Sequence, residues 1–362
     1  MKIVVYSDLH AHPFKNGVVT EHGRNSRVDD ALGVITQVYD HAESLLAEQD
    51  YTVVLFGGDL FDRRKSIDVD TFNGVHNLIT KRSSGAIFTY MIPGNHDQAN
   101  RSGTIHALQR FNNENCVSFH APTWRCLDGG NTFMFAVPYY DDGEVIAAHI
   151  AEGLQNRPAE ATNAFLLMHY GVQGAKVGPS DYVLPCELSL PMLQVDQWDL
   201  ILSGHYHIGQ QLGSKFHYIG SAMQHRWDDA GFDKSLLELD TRTWSVSRVP
   251  LLAPKFVVIT DDPKSQNVKN CFVRVLKSYE IEDAEKRALV SDLRERGAIS
   301  VEFRVTPPEK EDHSERIVFS EEGGSVSILE NYLDSEIIDL GGLDRDRLLG
   351  IGKDLVQEIQ SA

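Results

Sequence analysis

Apolar residues along the first 250 positions follow two different spacings. Nearly continuous apolar runs occur at residues 3–6, 51–56, 87–92, 133–137, 164–168 and 200–202. Residues 29–48 and 69–80 instead repeat apolar residues every three or four positions, which is the spacing of one helix face. Strands that alternate with amphipathic helices predict an α/β fold, in which we expect helices on both faces of a largely buried sheet.

The pattern changes after residue 250. Residues 250–254 begin and end with proline, which predicts a linker. Residues 255–305 then carry three short apolar runs and, near 282–297, a charged helical stretch. This combination predicts a small α+β domain that follows a larger domain at 1–250.

The C-terminal part predicts a linker and a helical segment. Residues 306–324 are polar and charged and contain two prolines and two glycines, so we predict a linker there. Residues 325–362 predict helices in two pieces that are interrupted near Gly341. The second piece places four apolar residues on one face: Leu348, Ile351, Leu355 and Ile359. Such a helix either packs on its own domain or docks to a partner, and we favour docking.

Charge limits the classes of partner. The chain of 362 residues has a formal net charge of −18, whereas a protein that binds nucleic acid by itself places Lys and Arg against phosphates. Bound divalent cations would reverse the field around acidic ligands, and a partner could add basic surface. The charge therefore argues against a stand-alone nucleic-acid binder, yet it is compatible with a metal-dependent enzyme that works with a partner.

Length and cysteine usage point to a cytoplasmic protein of two or three domains. No apolar run approaches the length of a membrane-spanning helix, and the chain starts directly with a strand pattern. The four cysteines at 116, 126, 186 and 271 have no paired spacing, so we expect inert thiols in a reducing compartment.

Five segments with histidine and aspartate follow apolar runs within the first 207 residues. They are Asp-Leu-His at 8–10, Gly-Asp-Leu-Phe-Asp at 58–62, Gly-Asn-His-Asp at 94–97, Met-His at 168–169 and Gly-His-Tyr-His at 204–207. Ligands bind beyond the strand ends in α/β folds, so these segments are expected to meet. They provide seven candidate metal ligands: Asp8, His10, Asp59, Asn95, His169, His205 and His207.

This ligand set predicts a site for two divalent ions. Carboxylate, amide and imidazole donors without thiolates suit Mn²⁺, Zn²⁺ or Fe better than Ca²⁺. Two such ions activate water and offset charge on phosphate oxygens, which is the chemistry of phosphoester cleavage. One carboxylate must then bridge the ions, and Asp59 is the natural candidate.

Two further residues are candidates for catalysis. His96 follows the ligand Asn95, so it is held near the metals without being needed to bind them, and we predict that it protonates the leaving oxygen. Asp62 could orient His96 through a hydrogen bond, or it could only cap the following helix.

The order of the five segments resembles the calcineurin-like metallophosphoesterase superfamily over about residues 1–240. That resemblance implies an αββα sandwich, in which two sheets pack together with helices outside. It also implies that Asp8, His10, Asp59 and His207 hold one ion, and that Asp59, Asn95, His169 and His205 hold the other. His96 matches the catalytic histidine of the superfamily.

Within the superfamily, the chain looks most like the SbcD-type recombination nucleases, and among them like the phage-type subunits. The sequences at 58–62 and 94–97, and the segment Tyr218 to Asp229 after the last ligands, carry this likeness. It implies that 255–305 is a capping domain and that the helices at 325–362 bind an SbcC-type coiled-coil ATPase. It further implies a homodimer that cuts DNA with Mn²⁺, or with Mg²⁺ instead, in a bacterium or a phage-infected host.

Three functions therefore remain open from the sequence. The first is a Mn²⁺-dependent DNA nuclease, with exonuclease action on duplex ends and endonuclease action on single strands. The second, favoured by the negative charge, is a phosphoprotein phosphatase or small-molecule phosphodiesterase with the same metals. The third is an inactive scaffold for the ATPase, which the intact ligand set disfavours.

Overall fold

The computed structural model describes residues 1–21, 23–100, 103–178, 188–260, 266–279, 281–305, 333 and 344–361. The chain divides into two compact units, one of Met1–Lys277 with Ile281–Arg304 and one of Ser278–Glu280 with Val305–Ala362. The predicted domain at 1–250 belongs to the first unit, and so does the predicted domain at 255–305 except for residues 278–280 and 305. The predicted linker at 306–324 lies outside the described residues. The domain boundaries within each unit stay predictions.

The first sheet of the larger unit has six strands, and its centre is parallel. Its strands are β1 (Lys2–Tyr6), β2 (Thr52–Phe56), β3 (Ile87–Met91), β4 (Cys116–Ser118), β11 (Ser235–Asp240) and β12 (Ser245–Pro250). Their order is β12-β11-β1-β2-β3-β4. Strands β1 to β4 pair in parallel, whereas β11 and β12 are antiparallel additions at one edge.

The second sheet also has six strands. They are β5 (Thr123–Cys126), β6 (Thr132–Val137), β7 (Asn163–His169), β8 (Leu200–Gly204), β9 (Gln211–Leu212) and β10 (Phe216–Tyr218). Their order is β5-β6-β7-β8-β10-β9, with parallel pairing from β6 to β10 and short antiparallel strands at both edges. All six sequence-predicted strands are therefore confirmed.

Three helices cover these sheets, and each begins at a residue that caps it. They are α1 (Ser26–Ser44), α2 (Val69–Arg82) and α3 (Gly143–Gln155). Asn25, Asp68 and Asp142 each accept a hydrogen bond from a backbone N–H of the first turn, which stabilises helix starts by about 1 kcal/mol. The helix predicted at 29–48 thus starts three residues earlier and ends in a short 3₁₀ turn at Leu45–Ala47.

The layers form an αββα sandwich, as the resemblance implied. Residues such as Val5, Leu55, Leu167 and Leu202 fill a core between the two sheets. Separate cores lie between the first sheet and α1 and α2, and between the second sheet and α3. The expectation of helices on both faces of one sheet was wrong, because a second sheet buries a strand's other face just as a helix would.

The predicted α+β module is confirmed as a three-stranded sheet with one helix. It comprises β13 (Lys255–Ile259), β14 (Cys271–Lys277), α4 (Asp283–Glu295) and β15 (Ser300–Val305), around a small core of its own. Its inner aromatic residues Phe256 and Phe272 lie under the buried guanidinium of Arg27, 5.9 and 5.2 Å from the ring centres. A cation–π contact therefore joins α1 to this module.

The second unit contains α5 (Arg345–Ser361), which confirms the later of the two predicted C-terminal helical pieces. Apart from Leu333, the earlier piece falls outside the described residues. No helix in the described part of the chain is both long and apolar enough to cross a membrane. Cys116, Cys126 and Cys271 are free thiols, and Cys186 is not among the described residues.

Candidate metal and phosphoester site

All seven predicted ligands follow the ends of parallel strands on one edge of the sandwich. Asp8 and His10 follow β1, Asp59 follows β2, Asn95 follows β3, His169 ends β7, and His205 and His207 follow β8. Because parallel strands end at the same edge, both sheets present their ligands to one cleft.

Four of the ligands adopt a left-handed backbone conformation. The φ angles are 51° at Asp8, 46° at His10, 60° at Asp59 and 85° at His205. Non-glycine residues adopt positive φ rarely and at an energetic cost, and such residues cluster at functional sites. Backbone hydrogen bonds from Asp8 N to Gly58 O (2.9 Å) and from His10 N to Asp59 O (3.0 Å) hold two of these turns.

Two glycines make room for this crowding. A Cβ atom at Gly94 would overlap Oδ1 of Asp59, and one at Gly58 would overlap the His169 ring. Gly58 also has a φ of 103°. These two glycines are therefore needed for two reasons. They allow tight turns, and they leave room where neighbouring ligand loops touch.

Asp8, His10 and His207 form one group of donors, which we call the His207 side. One donor atom from each lies within 4.8 Å of the others. The Nε2 atoms of His10 and His207 are 3.1 Å apart, and the Asp8 carboxylate accepts the backbone N–H of His205 at 3.0 Å. Burial lowers the pKa of His10 well below its ordinary value, which keeps the imidazole neutral, as a metal ligand must be.

Asp59, Asn95, His169 and His205 form a second group, which we call the His169 side. Nε2 of His169 lies 3.3 Å from Oδ2 of Asp59, and Oδ1 of Asn95 lies 3.2 Å from that nitrogen. The same Asn95 oxygen is 3.1 Å from Nδ1 of His205. Burial, together with the neighbouring His169, lowers the pKa of His205 to about 3.

Asp59 lies between the two sides. Its Oδ2 is 3.7 Å from Nε2 of His10 and 3.3 Å from Nε2 of His169, so one oxygen faces both groups. Burial would raise the pKa of Asp59, but His169 and His10 outweigh that effect and hold this pKa below its ordinary value. This position is what the bridging role requires.

The donors fit a pair of cations on two independent grounds. Oδ1 of Asn95 faces only acceptor atoms. A cation between these atoms would satisfy the arrangement, whereas without a cation the amide would rotate so that its NH₂ group faces the acceptors. Burial would lower the pKa of His169, yet Asp59 raises it to about 9, so the site stabilises positive charge there. Imidazole donors with carboxylates and one amide suit Mn²⁺, Zn²⁺ or Fe.

His96 and Asp62 lie beside the cluster, with one donor atom of each within 4.8 Å of a ring nitrogen of His10. Nδ1 of His96 donates a 2.7 Å hydrogen bond to the backbone oxygen of Asp62, because a carbonyl can only accept. The orienting bond thus comes from the main chain and not from the carboxylate. The helix-cap alternative was wrong, since α2 is capped by Asp68.

Asp97 is a supporting residue that the motif analysis did not single out. It is buried, and its carboxylate accepts backbone N–H groups from Asp59 (2.8 Å), Leu60 (2.9 Å), Phe61 (3.2 Å) and Gly94 (3.0 Å). Burial and the neighbouring Asp59 raise the pKa of Asp97 to about 7, although the hydrogen bonds from Gly94 and Phe61 lower it. Asp97 thereby ties the β2 and β3 loops together.

A second supporting group stands behind the His207 side. Oδ1 of Asp229 lies 3.7 Å from Nδ1 of His207 and accepts a 2.7 Å hydrogen bond from the buried Lys234. Nε2 of His225 donates to the backbone oxygen of Asp8 at 3.1 Å, and its ring lies 5.1 Å from that of His10. In the sequence, the segment 218–229 carries a family likeness but no motif of its own, because no spacing rule links it to His207.

Exposed basic side chains lie near the cluster despite the net charge of −18. Lys15, Arg63 and Arg226 line one cavity that also reaches Asp62, and Arg226 lines a second cavity at His205 and His207. A guanidinium nitrogen of Arg64 lies 3.3 Å from the Asn95 amide. Arg226 lines both cavities, so an anion bound in one of them would lie close to the other.

Comparison with known proteins adds four findings. Residues 1–209, more than half of the chain, match the family described as Calcineurin-like phosphoesterase. "Putative phosphoesterase 078R" of Invertebrate iridescent virus 3 is 24% identical over 297 residues, which cover 75% of this chain and 80% of that protein. "Putative phosphoesterase 244L" of Invertebrate iridescent virus 6 is 24% identical over 241 residues, 64% of this chain and 77% of that one.

A solved structure, the 5'-nucleotidase precursor from Thermus thermophilus, is 12% identical, with a TM-score of 0.37. The match covers 70% of this chain and about half (54%) of the length of that protein.

Proposed function

Since the chain belongs to the calcineurin-like phosphoesterase family, we propose that it is a Mn²⁺-dependent nuclease that cleaves DNA phosphodiesters at two metal ions. In this proposal it acts as an exonuclease on duplex ends and an endonuclease on single strands. It works with an SbcC-type ATPase in double-strand break repair or recombination. The observation that carries the DNA substrate is the set of exposed basic side chains, Lys15, Arg63 and Arg226, that line the two cavities next to the buried donor cluster.

The metal roles are assigned by donor group. Asp8, His10 and His207 would hold one ion, and Asn95, His169 and His205 the other, with Asp59 shared between them. When bound, two divalent ions supply an activated water and offset the negative charge that develops on phosphate oxygens. The protein's part is to keep His10 and His205 neutral and the shared carboxylate Asp59 charged before the ions arrive.

His96 would protonate the leaving oxygen. The hydrogen bond from Nδ1 to the Asp62 carbonyl fixes the ring and leaves Nε2 as the nitrogen that transfers the proton. The backbone N–H of His96 donates to Oδ1 of Asp59 at 2.7 Å, so a hydrogen bond joins the segment of the acid to the shared ligand. The basic residues Arg63, Arg64 and Arg226 would hold the phosphates that flank the reacting one.

A cleavage assay tests the reaction. Purified protein is incubated with end-labelled duplex and single-stranded DNA in Mn²⁺, alone and with a cognate ATPase, and compared with His96→Ala and Asp59→Ala. Loss of a general acid lowers turnover by about 100- to 10,000-fold, so His96→Ala should be almost inactive. Asp59→Ala should be inactive because it loses the shared metal ligand. Bound metal, measured by elemental analysis, should persist in His96→Ala and fall in Asp59→Ala. A wild-type protein that leaves DNA intact under all these conditions would overturn the nuclease proposal.

The net charge of −18 favours a second candidate, a phosphoprotein phosphatase or a small-molecule phosphodiesterase. Both would use the same donors on a substrate that needs no long basic track. The two candidates are separated by kcat/KM on a phosphopeptide, a cyclic nucleotide and a DNA strand. Turnover of either small substrate far above that of DNA would select the second candidate.

Partner binding is proposed for the C-terminal segment 325–362. In α5, the side chain of Ile351 is 51% exposed, so an apolar position faces outward and could contact a partner. Deletion of 325–362 should abolish ATPase binding in a pull-down assay while intrinsic Mn²⁺-dependent cleavage persists. Binding that survives the deletion would show that the docking assignment is wrong. A homodimer and a cytoplasmic location complete the proposal.

A further inference from the structure

One cavity next to the cluster has a different chemistry from the cluster itself. It has a volume of about 370 Å³ and lies where the three-stranded α+β module meets the sandwich. Asp62 and His225 form part of its wall, and both also stand against the ring of His10. A group bound in this cavity would therefore adjoin a phosphate held at the metals.

The cavity has a rigid aromatic wall. Trp227 packs edge-on against Phe256 with ring centres 4.9 Å apart, and Phe256 stacks on Phe272 at 5.0 Å. The guanidinium of Arg274 lies 4.1 Å from the centre of the Trp227 ring, which fixes the indole before any ligand arrives. Phe14, from the loop after β1, lines the same cavity.

Polar and basic groups complete the lining. Ser300 and Glu302 of β15 supply hydrogen-bonding atoms, and Arg274 forms an ion pair with Glu302 that holds its carboxylate in place. Lys15 and Arg63 are exposed and line the same cavity. Flat aromatic faces, polar groups and cations together match a nucleotide, since a phosphate alone needs no aromatic wall and an apolar group needs no cations.

We propose that this cavity binds the base of a nucleotide next to the scissile phosphate, by stacking on Trp227 and Phe14. The inference rests on the proposed nucleic-acid substrate and deepens it. It makes the α+β module part of substrate recognition, because Ser300 and Glu302 would contact the base edge. It also predicts that the enzyme discriminates between a nucleotide that carries a base and one that lacks it.

Binding measurements test the subsite without turnover. Calorimetry in Mn²⁺ compares deoxyadenosine monophosphate with 2-deoxyribose 5-phosphate on the full-length protein and on Trp227→Leu and Phe14→Leu. Stacking of a base on an aromatic residue contributes about 10-fold in affinity, so the wild type should prefer the base-bearing ligand by about that factor. Each variant should lose most of this preference and keep its affinity for the sugar phosphate.

Trp124→Leu is the matched control, because Trp124 is also half-buried and lines a different cavity. Equal affinity of the wild type for both ligands, or an equal loss of preference in Trp124→Leu, would overturn the subsite. The variants Trp227→Leu and Phe14→Leu come from separate segments, so a folding defect in one leaves the other informative.

A cleavage assay distinguishes this inference from the proposed function. Single strands of one sequence carry an abasic residue at successive positions, and cut sites are mapped in Mn²⁺. Reduced cleavage at one fixed distance from the abasic residue supports the subsite, whereas uniform cleavage at every position overturns it. A protein that leaves all DNA intact yet still prefers deoxyadenosine monophosphate keeps the subsite and loses the nuclease proposal.

Discussion

The two sides of the donor cluster are held in place by different means. On the His169 side the support is main chain, because His169 Nδ1 contacts the oxygen of Gly57 at 2.7 Å and Asp97 gathers backbone N–H groups of the Asp59 loop. On the His207 side the support is a set of side chains from residues 225–234, with Asp229 3.7 Å from the His207 ring.

This difference determines which substitutions can change the position of the ligands on each side. Main-chain support depends on how closely two strand ends approach and on the Asp97 carboxylate that accepts their N–H groups, so a change in backbone room disturbs it. Side-chain support can be altered one residue at a time, because carboxylates behind a ligating histidine tune its basicity and orientation. The His207 side is therefore the adjustable half of the site, and the His169 side is the fixed half.

Gly94→Ala should have the largest effect, because it tests the fixed half. The new methyl group would overlap Asp59, the carboxylate that faces both sides, and a displacement of about 1 Å can cost roughly 100-fold in rate. We expect loss of bound metal on both sides and at least that loss of phosphodiesterase activity. Metal analysis and activity with bis(p-nitrophenyl) phosphate measure the two effects.

Gly130→Ala is the control for that variant. An added Cβ there meets the Asp128 side chain only at ordinary contact distances, the nearest being 3.4 Å. It should retain its metal and activity. Two full equivalents of metal in Gly94→Ala would contradict the fixed character of the His169 side.

Asp229→Asn should have an intermediate effect that is confined to one side. The variant keeps the size of the side chain, removes the charge behind His207 and leaves Lys234 without its ion pair. Loss of such a supporting carboxylate typically weakens metal binding by about 10- to 100-fold. Mn²⁺ titration by calorimetry should show one weakened site and one unchanged site.

The neighbouring exposed Asp228 provides the control, because Asp228→Asn makes the same chemical change in the same turn. It should leave both sites unchanged. Equal weakening of both sites in Asp229→Asn would remove the distinction between the two halves.

His106→Gln should have the smallest effect of the three substitutions. It tests a buried histidine that lies outside both sides of the donor cluster. Burial, with a smaller effect of His120, lowers the pKa of His106 to about 4 from an ordinary value of 6.5. Between those pH values the unfolded chain binds a proton that the folded chain does not, so His106 makes stability fall as pH decreases from 6.5 toward 4.

Urea unfolding at about pH 7.5 and at about pH 5 measures this effect. The loss of unfolding free energy between the two should be smaller in His106→Gln by about 1 kcal/mol, a value reduced from the full linkage for solvent screening. An identical pH dependence in the variant and the wild type would show that His106 titrates normally in the folded chain.

Much of the fold followed from the sequence, because strand runs and helical spacing report burial directly. Residues 3–6 and 164–168 could be assigned to strands, yet the same apolar runs are compatible with one sheet between helices or with two packed sheets. Only long-range contacts, such as those of Val5 and Leu167 in the inter-sheet core, separate these arrangements.

The site likewise has features that the sequence predicts and features that depend on long-range contacts. Ligand types and spacing identified the donors, since metal chemistry restricts them to few residue types. The roles of Asp97 and Asp229 could not be found this way, because their partners are backbone groups or residues far along the chain. A hydrogen bond between Asp62 and His96 was one of two roles that the sequence allowed for Asp62, but the sequence carries no sign that the backbone carbonyl of Asp62 would accept it.

The left-handed turns at Asp8, His10, Asp59 and His205 restrict which residues evolution or a designer can place there. Aspartate, asparagine and histidine are the non-glycine residues that enter this backbone region most readily, and all three also bind metals. Glutamate matches aspartate as an oxygen donor but lacks that backbone tolerance. Coordination chemistry and backbone geometry thus act together to limit the residue types that can serve as ligands at these four positions. Mutant libraries at these positions should contain only those three residue types.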